Sequence, residues 1–306
     1  MMKKTIAVLF TLLMILACFQ VFAESTYHMV VPGGAPAFAV SGVYADEPDA
    51  VQTIGADTIA EAFGSGEADF IIAPINAGAK LFKLGKSSYR LAAVVTWGNL
   101  VFASKLPDFT PDMINGRRLV LFGENTINAS IAQYVLSQKG IEPSEIEFLA
   151  GAAETQAELL SGNDPEVVVM TAEPAITGAR ISDETITSFS VNELYKEITG
   201  FDGFTQAGLF IREKTIQESP ELVEKGLAAI QASVALCEND PETAAKNAVA
   251  MEVVKAEKVA LMALPGCNIR YMSAKDAKEQ IETTAQIDLS QFGGELPADE
   301  FYYEAE

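Results

Sequence analysis

Residues 68–81 read ADFIIAPINAGAKL, and residues 166–181 read EVVVMTAEPAITGARI. Each holds a short apolar run that suits a buried strand, then a proline, then apolar residues at helical spacing. The likeness extends upstream. Ala60-Glu61 and Ser65-Gly66 precede Pro74, Gly78 and Ala79; Ala157-Glu158 and Ser161-Gly162 precede Pro174, Gly178 and Ala179. Both copies run helix, Ser-Gly turn, acidic residue, apolar strand, proline, helix. Two copies are too few for a solenoid and point to two lobes of similar build. One position differs: Glu173 stands where the first copy has Ala73, so the shared scaffold does not require a carboxylate there.

Strands and helices alternate on either side of these units. Strands are predicted at 27–31, 50–54, 70–73, 91–104, 118–122, 146–150, 167–170, 187–191 and 207–212, with helices between most of them. From Ser219 to about Ile287 the pattern is helical, with Ser-Pro-Glu and Asp-Pro-Glu starts. Alternation with near-continuous apolar strands predicts an α/β fold whose mainly parallel sheets are covered on both faces.

The chain has 306 residues, enough for one large domain or two lobes. Lys3 and Lys4 precede an apolar run from Ile6 to Phe22, and Val21-Phe22-Ala23 suits a cleavage site, so residues 1–23 read as a secretory signal. Ile15-Leu16-Ala17-Cys18 also approximates a lipoprotein box that would anchor the chain through Cys18. The residues after Cys18 are apolar, unlike a polar tether, which favours soluble export. The net charge is -21, and removing the signal deletes two lysines and no acids. Such a surface repels nucleic acid and anionic membranes. For Cys237 and Cys267, a disulfide and two buried thiols both fit.

In open α/β sheets, ligands bind beyond the carboxyl ends of the strands. Four loops fall there, two from each repeat half: PGGAPA (32–37), the Pro74 turn, FGENT (122–126) and Glu173-Pro174. Gly33, Gly34 and Ala35 let the backbone approach a ligand, or form a tight turn. Asn76 can donate and accept. Trp97, the only tryptophan, interrupts an apolar run together with Gly98 and Asn99; it offers a flat stacking surface or packs in the core. Gly123, Asn125 and Thr126 open a helix, as caps or as donors of free N–H groups. Glu173 is an acceptor or counter-charge for ligand, or answers the helix dipole. No lysine or arginine occurs in these loops or in Trp97-Gly98-Asn99. That tilts the ligand towards a neutral or cationic organic molecule, such as a nitrogen heterocycle near Trp97, over a sulfonate or oxoanion.

Enzyme motifs are scarce. His28 is the only histidine, and H-E-x-x-H, G-x-S-x-G and a P-loop are absent. No catalytic residue, metal set or cofactor is expected.

PGGAPA, GSGEADFIIAPINAGAKL, TWGNLVFAS, LVLFGENT, TAEPA and GGELPADEFYY together resemble the periplasmic solute-binding proteins of ABC importers, of the type II fold. The likeness is to the group that binds aliphatic sulfonates, taurine, nitrate and thiamine precursors. It implies lobe one at 24–102 plus 207–306, lobe two at 103–206, and crossings near VFASKL and GFTQAG. It further implies a monomer that closes on a small molecule by hinge motion and is received by an ABC permease in the inner membrane. Thiamine-pathway synthases on this fold are an alternative, but they use histidines and a cysteine-rich signature that this chain lacks. A sensor domain is another.

Overall fold

The computed structural model describes residues 27–304. The signal segment 1–23 and the anchor reading at Cys18 lie outside the described residues.

Eleven strands form two sheets among the described residues. In chain order they are β1 (Met29–Pro32), β2 (Val51–Ile54), β3 (Phe70–Pro74), β4 (Tyr89–Thr96), β5 (Leu100–Ser104), β6 (Arg118–Phe122), β7 (Glu145–Leu149), β8 (Val168–Ala172), β9 (Thr187–Ser190), β10 (Ala207–Arg212) and β11 (Ile269–Ser273). The first sheet has the order β11-β4-β10-β3-β1-β2, the second β7-β6-β8-β5-β9. The molecule is two-lobed, one sheet to a lobe.

The internal repeat is a repeat of topology. β3 has β1 as its parallel neighbour and β10 as its antiparallel one; β8 has β6 parallel and β5 antiparallel. β2 lies beyond β1 as β7 lies beyond β6, and β4 beyond β10 as β9 beyond β5. Helices Ile59–Ser65 and Ala152–Ser161 both end on a left-handed glycine, Gly66 (φ 63°) and Gly162 (φ 66°). Pro74 and Pro174 both precede helices, Ile75–Lys83 and Ala175–Ser182. The repeated glycine is tighter in the first copy, where a Cβ on Gly78 would stand 2.4 Å from the Phe210 ring, than in the second, where one on Gly178 would stand 3.1 Å from the flexible end of Gln156. Helix Ile75–Lys83 therefore sits directly on β10. Phe210 packs edge-on against Phe63 at 5.1 Å and tilted against Phe301 at 5.9 Å. Burying one such side chain contributes about 1.5–3 kcal/mol.

Two expectations change. The run 91–104 is not one strand. It breaks at Trp97-Gly98-Asn99, and β5 belongs to the second sheet, so the chain passes between sheets ahead of Leu100 and not after Phe102. The break is enforced locally. Gly98 has φ 76°, and a Cβ there would stand 2.5 Å from Asn192 Oδ1 and from Phe204. The segment after Ser219 is also not wholly helical, because β11 pairs antiparallel with β4 as an edge strand. Of the two expected caps, Asp240 accepts from the Thr243 N–H at 3.1 Å, whereas Ser219 makes no side-chain cap bond.

The last helices tie the lobes together. Helix Lys278–Ile287 packs against lobe two, where Thr284 Oγ1 lies 3.3 Å from Tyr195 Oη and accepts the Thr205 N–H at 3.1 Å. Just beyond it, Ser130 Oγ donates to Asp288 Oδ2 at 2.7 Å, and Gln291 Nε2 donates to the Asn125 carbonyl at 2.9 Å.

Candidate functional site

Strand polarity locates the cleft. β1, β3 and β4 run parallel to one another, and β4 leaves its sheet at Trp97. Their carboxyl ends therefore face the crossing. In the second sheet β5 enters from the crossing and runs antiparallel to β8, so the carboxyl ends of β8, β6 and β7 face it too. The loops after β1, β3, β6 and β8 thus stand at the ends of the two sheets that meet at the crossing.

A row of polar side chains runs across this junction. The Ile75 N–H, beside Asn76, donates to the Gln206 carbonyl at 3.0 Å. Gln206 Nε2 donates to Asn99 Oδ1 at 2.9 Å, and Asn99 Nδ2 donates to the Glu173 carbonyl at 2.9 Å. The Glu173 N–H returns to the Asn99 carbonyl at 3.0 Å. Asn76 Oδ1 and Gln206 Oε1 are buried and have no hydrogen-bond partner among the described residues. Buried amide oxygens are rarely left so, because each forfeits about 1–3 kcal/mol of hydration. The Glu173 carboxylate accepts from Thr177 Oγ1 at 3.0 Å and Thr177 N at 3.3 Å. Burial raises its pKa, against the lowering effect of those two bonds and of Arg180.

Two of the predicted residues, Asn99 and Glu173, thus join one row, and Asn76 stands next to Ile75, whose N–H bonds to Gln206. Gln206 completes it and was not predicted. It lies in the second crossing, where the sequence GFTQAG carries no motif. Gly33 and Gly34 open the loop after β1, with Gly33 exposed. Gly123 and Asn125 have φ 71° and 59° and form the turn after β6. Thr126 is the N-cap of helix Ile127–Gln138. Ala35 is buried, in the apolar cluster that also holds Phe38, Leu264 and Cys267.

Trp97 also departs from expectation. It is 2% exposed, its Nε1 donates to the Arg270 carbonyl at 2.9 Å, and the Arg270 guanidinium lies over its ring at 4.3 Å. A ligand in the cleft does not find a free indole face. The arginine comes from β11, a strand absent from the sequence reading, so the basic group next to Trp97 was missed for the same reason.

Elsewhere, Nε2 of His28 pairs with Gln52 Oε1 at 3.0 Å. Cys237 and Cys267 are free, buried thiols in one apolar cluster. No group of three or more His, Cys, Asp or Glu among the described residues is placed to hold a metal ion. No helix among them is long and apolar enough to cross a membrane.

Known structures decide the architecture. A protein described as an ABC transporter from Parabacteroides distasonis superposes with a TM-score of 0.77 at 20% identity, covering 92% of this chain and 100% of the other. The fold is the type II periplasmic-binding fold. The ligand binding component of an ABC-type import system from Staphylococcus aureus, solved with zinc bound, is similar at TM-score 0.66 and 12% identity, over 91% of this chain and 96% of that one. The periplasmic aliphatic sulphonate binding protein SsuA from Escherichia coli gives 0.66 and 12%, over 92% and 94%. Residues 108–244 match the family model described as NMT1/THI5 like. These likenesses agree with the group that the sequence resembles. No curated protein sequence matches the chain.

Proposed function

We propose that this type II protein is an extracytoplasmic solute-binding receptor that holds one small organic molecule between its lobes and delivers it to an ABC permease. The observation that carries the ligand class is the pair of unpartnered buried acceptors, Asn76 Oδ1 and Gln206 Oε1. The Glu173 carboxylate stands beside the row, held by Thr177 and close to Gly266, and adds a further acceptor to the junction. It suits a neutral or cationic ligand that presents several N–H donors. Gly33, Gly34, Gly123, Asn125 and Thr126 would form the walls. Hinge motion about the two crossings would admit the ligand and close over it as a monomer. Likeness to binding components of transporters supports capture without turnover.

The test is a thermal-shift screen of the mature chain with amines, amidines, pyrimidines, sulfonates and oxoanions. Donor-bearing neutral or cationic compounds should raise Tm in proportion to ln(1 + [L]/Kd). Asn76→Ala should weaken the best of them by about tenfold, the loss of one ligand hydrogen bond. Stabilisation by sulfonates alone would reverse the ligand assignment.

A further inference from the structure

A cavity of about 690 Å³ opens on the flank of lobe one, beside the crossings. Val234, Ala235, Pro241, Leu264 and Pro265 give it an apolar wall. Trp97 from the first crossing and Asp202 from the second reach it. None of Asn76, Asn99, Glu173 or Gln206 lines it, so it is separate from the polar row. Its size is within the range of small-molecule sites.

Its charged groups are of two kinds. Asp202 is already paired with Lys196 at 2.6 Å. Arg270 and Glu238 make no ion pair among the described residues, though both line the cavity and Arg270 is near enough to Asp202 to help lower its pKa. Arg270 is nevertheless held in place, its guanidinium laid over Trp97, whose own ring is fixed by the Nε1 bond to the Arg270 carbonyl. A guanidinium fixed against an aromatic face keeps its N–H edge for an incoming anion and loses little entropy on binding it. A guanidinium with no close ion pair, an unpaired carboxylate and an apolar wall define a ligand with the opposite arrangement.

We propose that this cavity is a second ligand site, taking a small zwitterion whose carboxylate meets Arg270, whose ammonium meets Glu238, and whose apolar part lies on the Val234–Leu264 wall. The complex is non-covalent and independent of the cleft ligand.

Leucine is a suitable probe, with 4-methylpentanoate and 3-methylbutylamine as analogues lacking the ammonium and the carboxylate. Trp97 is the only tryptophan, so its emission reports on this cavity, and calorimetry gives the stoichiometry. Leucine should shift the emission saturably at one per chain. Each analogue should bind at least about tenfold more weakly, the equivalent of one lost charged contact. Arg270→Gln should weaken leucine by the same factor, and so should Glu238→Gln, an exposed change that leaves Trp97 and its stacking partner intact. Asn76→Ala, in the cleft, should leave leucine binding within about twofold. The proposal fails if leucine gives no saturable response up to about 10 mM. It also fails if leucine and the analogues bind alike, or if Glu238→Gln changes nothing. Loss of leucine binding in Asn76→Ala would assign leucine to the cleft and would equally overturn the second site. The cleft reading is tested by different compounds, so either can fail alone.

Discussion

Asn192 and Asn268 both donate to the carbonyl of Gly98, Nδ2 to oxygen, at 3.0 and 2.6 Å. Asn192 opens a lobe-two helix, Val191–Thr199, and Asn268 precedes β11 in lobe one. A single peptide group in the crossing is therefore held from both sides. Asn192 Nδ2 also donates to the Trp97 carbonyl at 2.8 Å, and the Trp97 N–H donates to the Asn268 carbonyl at 3.1 Å.

Gly98→Ala should be the most costly single-atom change at the crossing. It adds a Cβ at a positive φ and in contact with Asn192 and Phe204. We expect a loss of about 2–5 kcal/mol in urea unfolding. Asn192→Ala, which removes the two donated bonds together with a buried, unpartnered oxygen, should cost about 1–3 kcal/mol. A smaller effect for Gly98→Ala than for Asn192→Ala would mean that the crossing relaxes freely.

Glu173 gives the molecule a pH signature. Its folded-state pKa is raised, chiefly by burial, so its contribution is greatest below the unfolded pKa and is lost as pH rises through the folded value. Glu173→Gln has no charge to desolvate. The Tm of the variant minus that of the wild type should therefore be more positive at pH 7 than at pH 4. A difference that is flat with pH, or that runs the other way, would show the carboxylate to be well solvated.

The two thiols should be silent until the chain opens. Burial pushes Cys237 up to about 12, and pushes Cys267 well above the ordinary thiol range, with Glu173 and Cys237 adding to the effect. Thiolate is the reactive form. A maleimide at pH 7 should label the native mature chain at least about a hundredfold more slowly than the urea-unfolded chain, which should show two thiols. Finding none after unfolding would mean a disulfide.

Thr284 links helix Lys278–Ile287 to Tyr195 and Thr205. Thr284→Val keeps the shape and removes the acceptor. It should lower stability by about 1–2 kcal/mol, read as a drop in urea midpoint without a change in slope. A fall in slope would instead indicate that the two lobes unfold separately.

Much of the fold was legible because burial on both faces writes itself as continuous apolar runs, and because the two halves repeat their turns. Ser65-Gly66 and Ser161-Gly162 marked left-handed helix ends, and Pro74 and Pro174 marked helix starts. β11 was not legible. Its residues, Ile269 to Ser273, are all partly or fully exposed at a sheet edge, inside a stretch with helical spacing on both sides. The site divided the same way. Glu173 stood out against Ala73, and Asn76 against its apolar neighbours. Gln206 acquires its role only through Asn99, 107 positions away in the chain. Trp97 was noticed correctly as unusual, but what covers it comes from β11, and only the folded chain brings that arginine to the indole.

β10 lies between β3 and β4, yet it is made after every strand of lobe two. As the chain grows, lobe two can complete its sheet while lobe one is still divided into a β1–β2–β3 group and an isolated β4. Each half then carries an unpaired strand edge, the kind of surface on which chains stick to one another. The interval ends only when residues 207–212 arrive to close the gap. A chain halted before them would hold one finished lobe and one open sheet, and its hazard would be aggregation more than the loss of ligand.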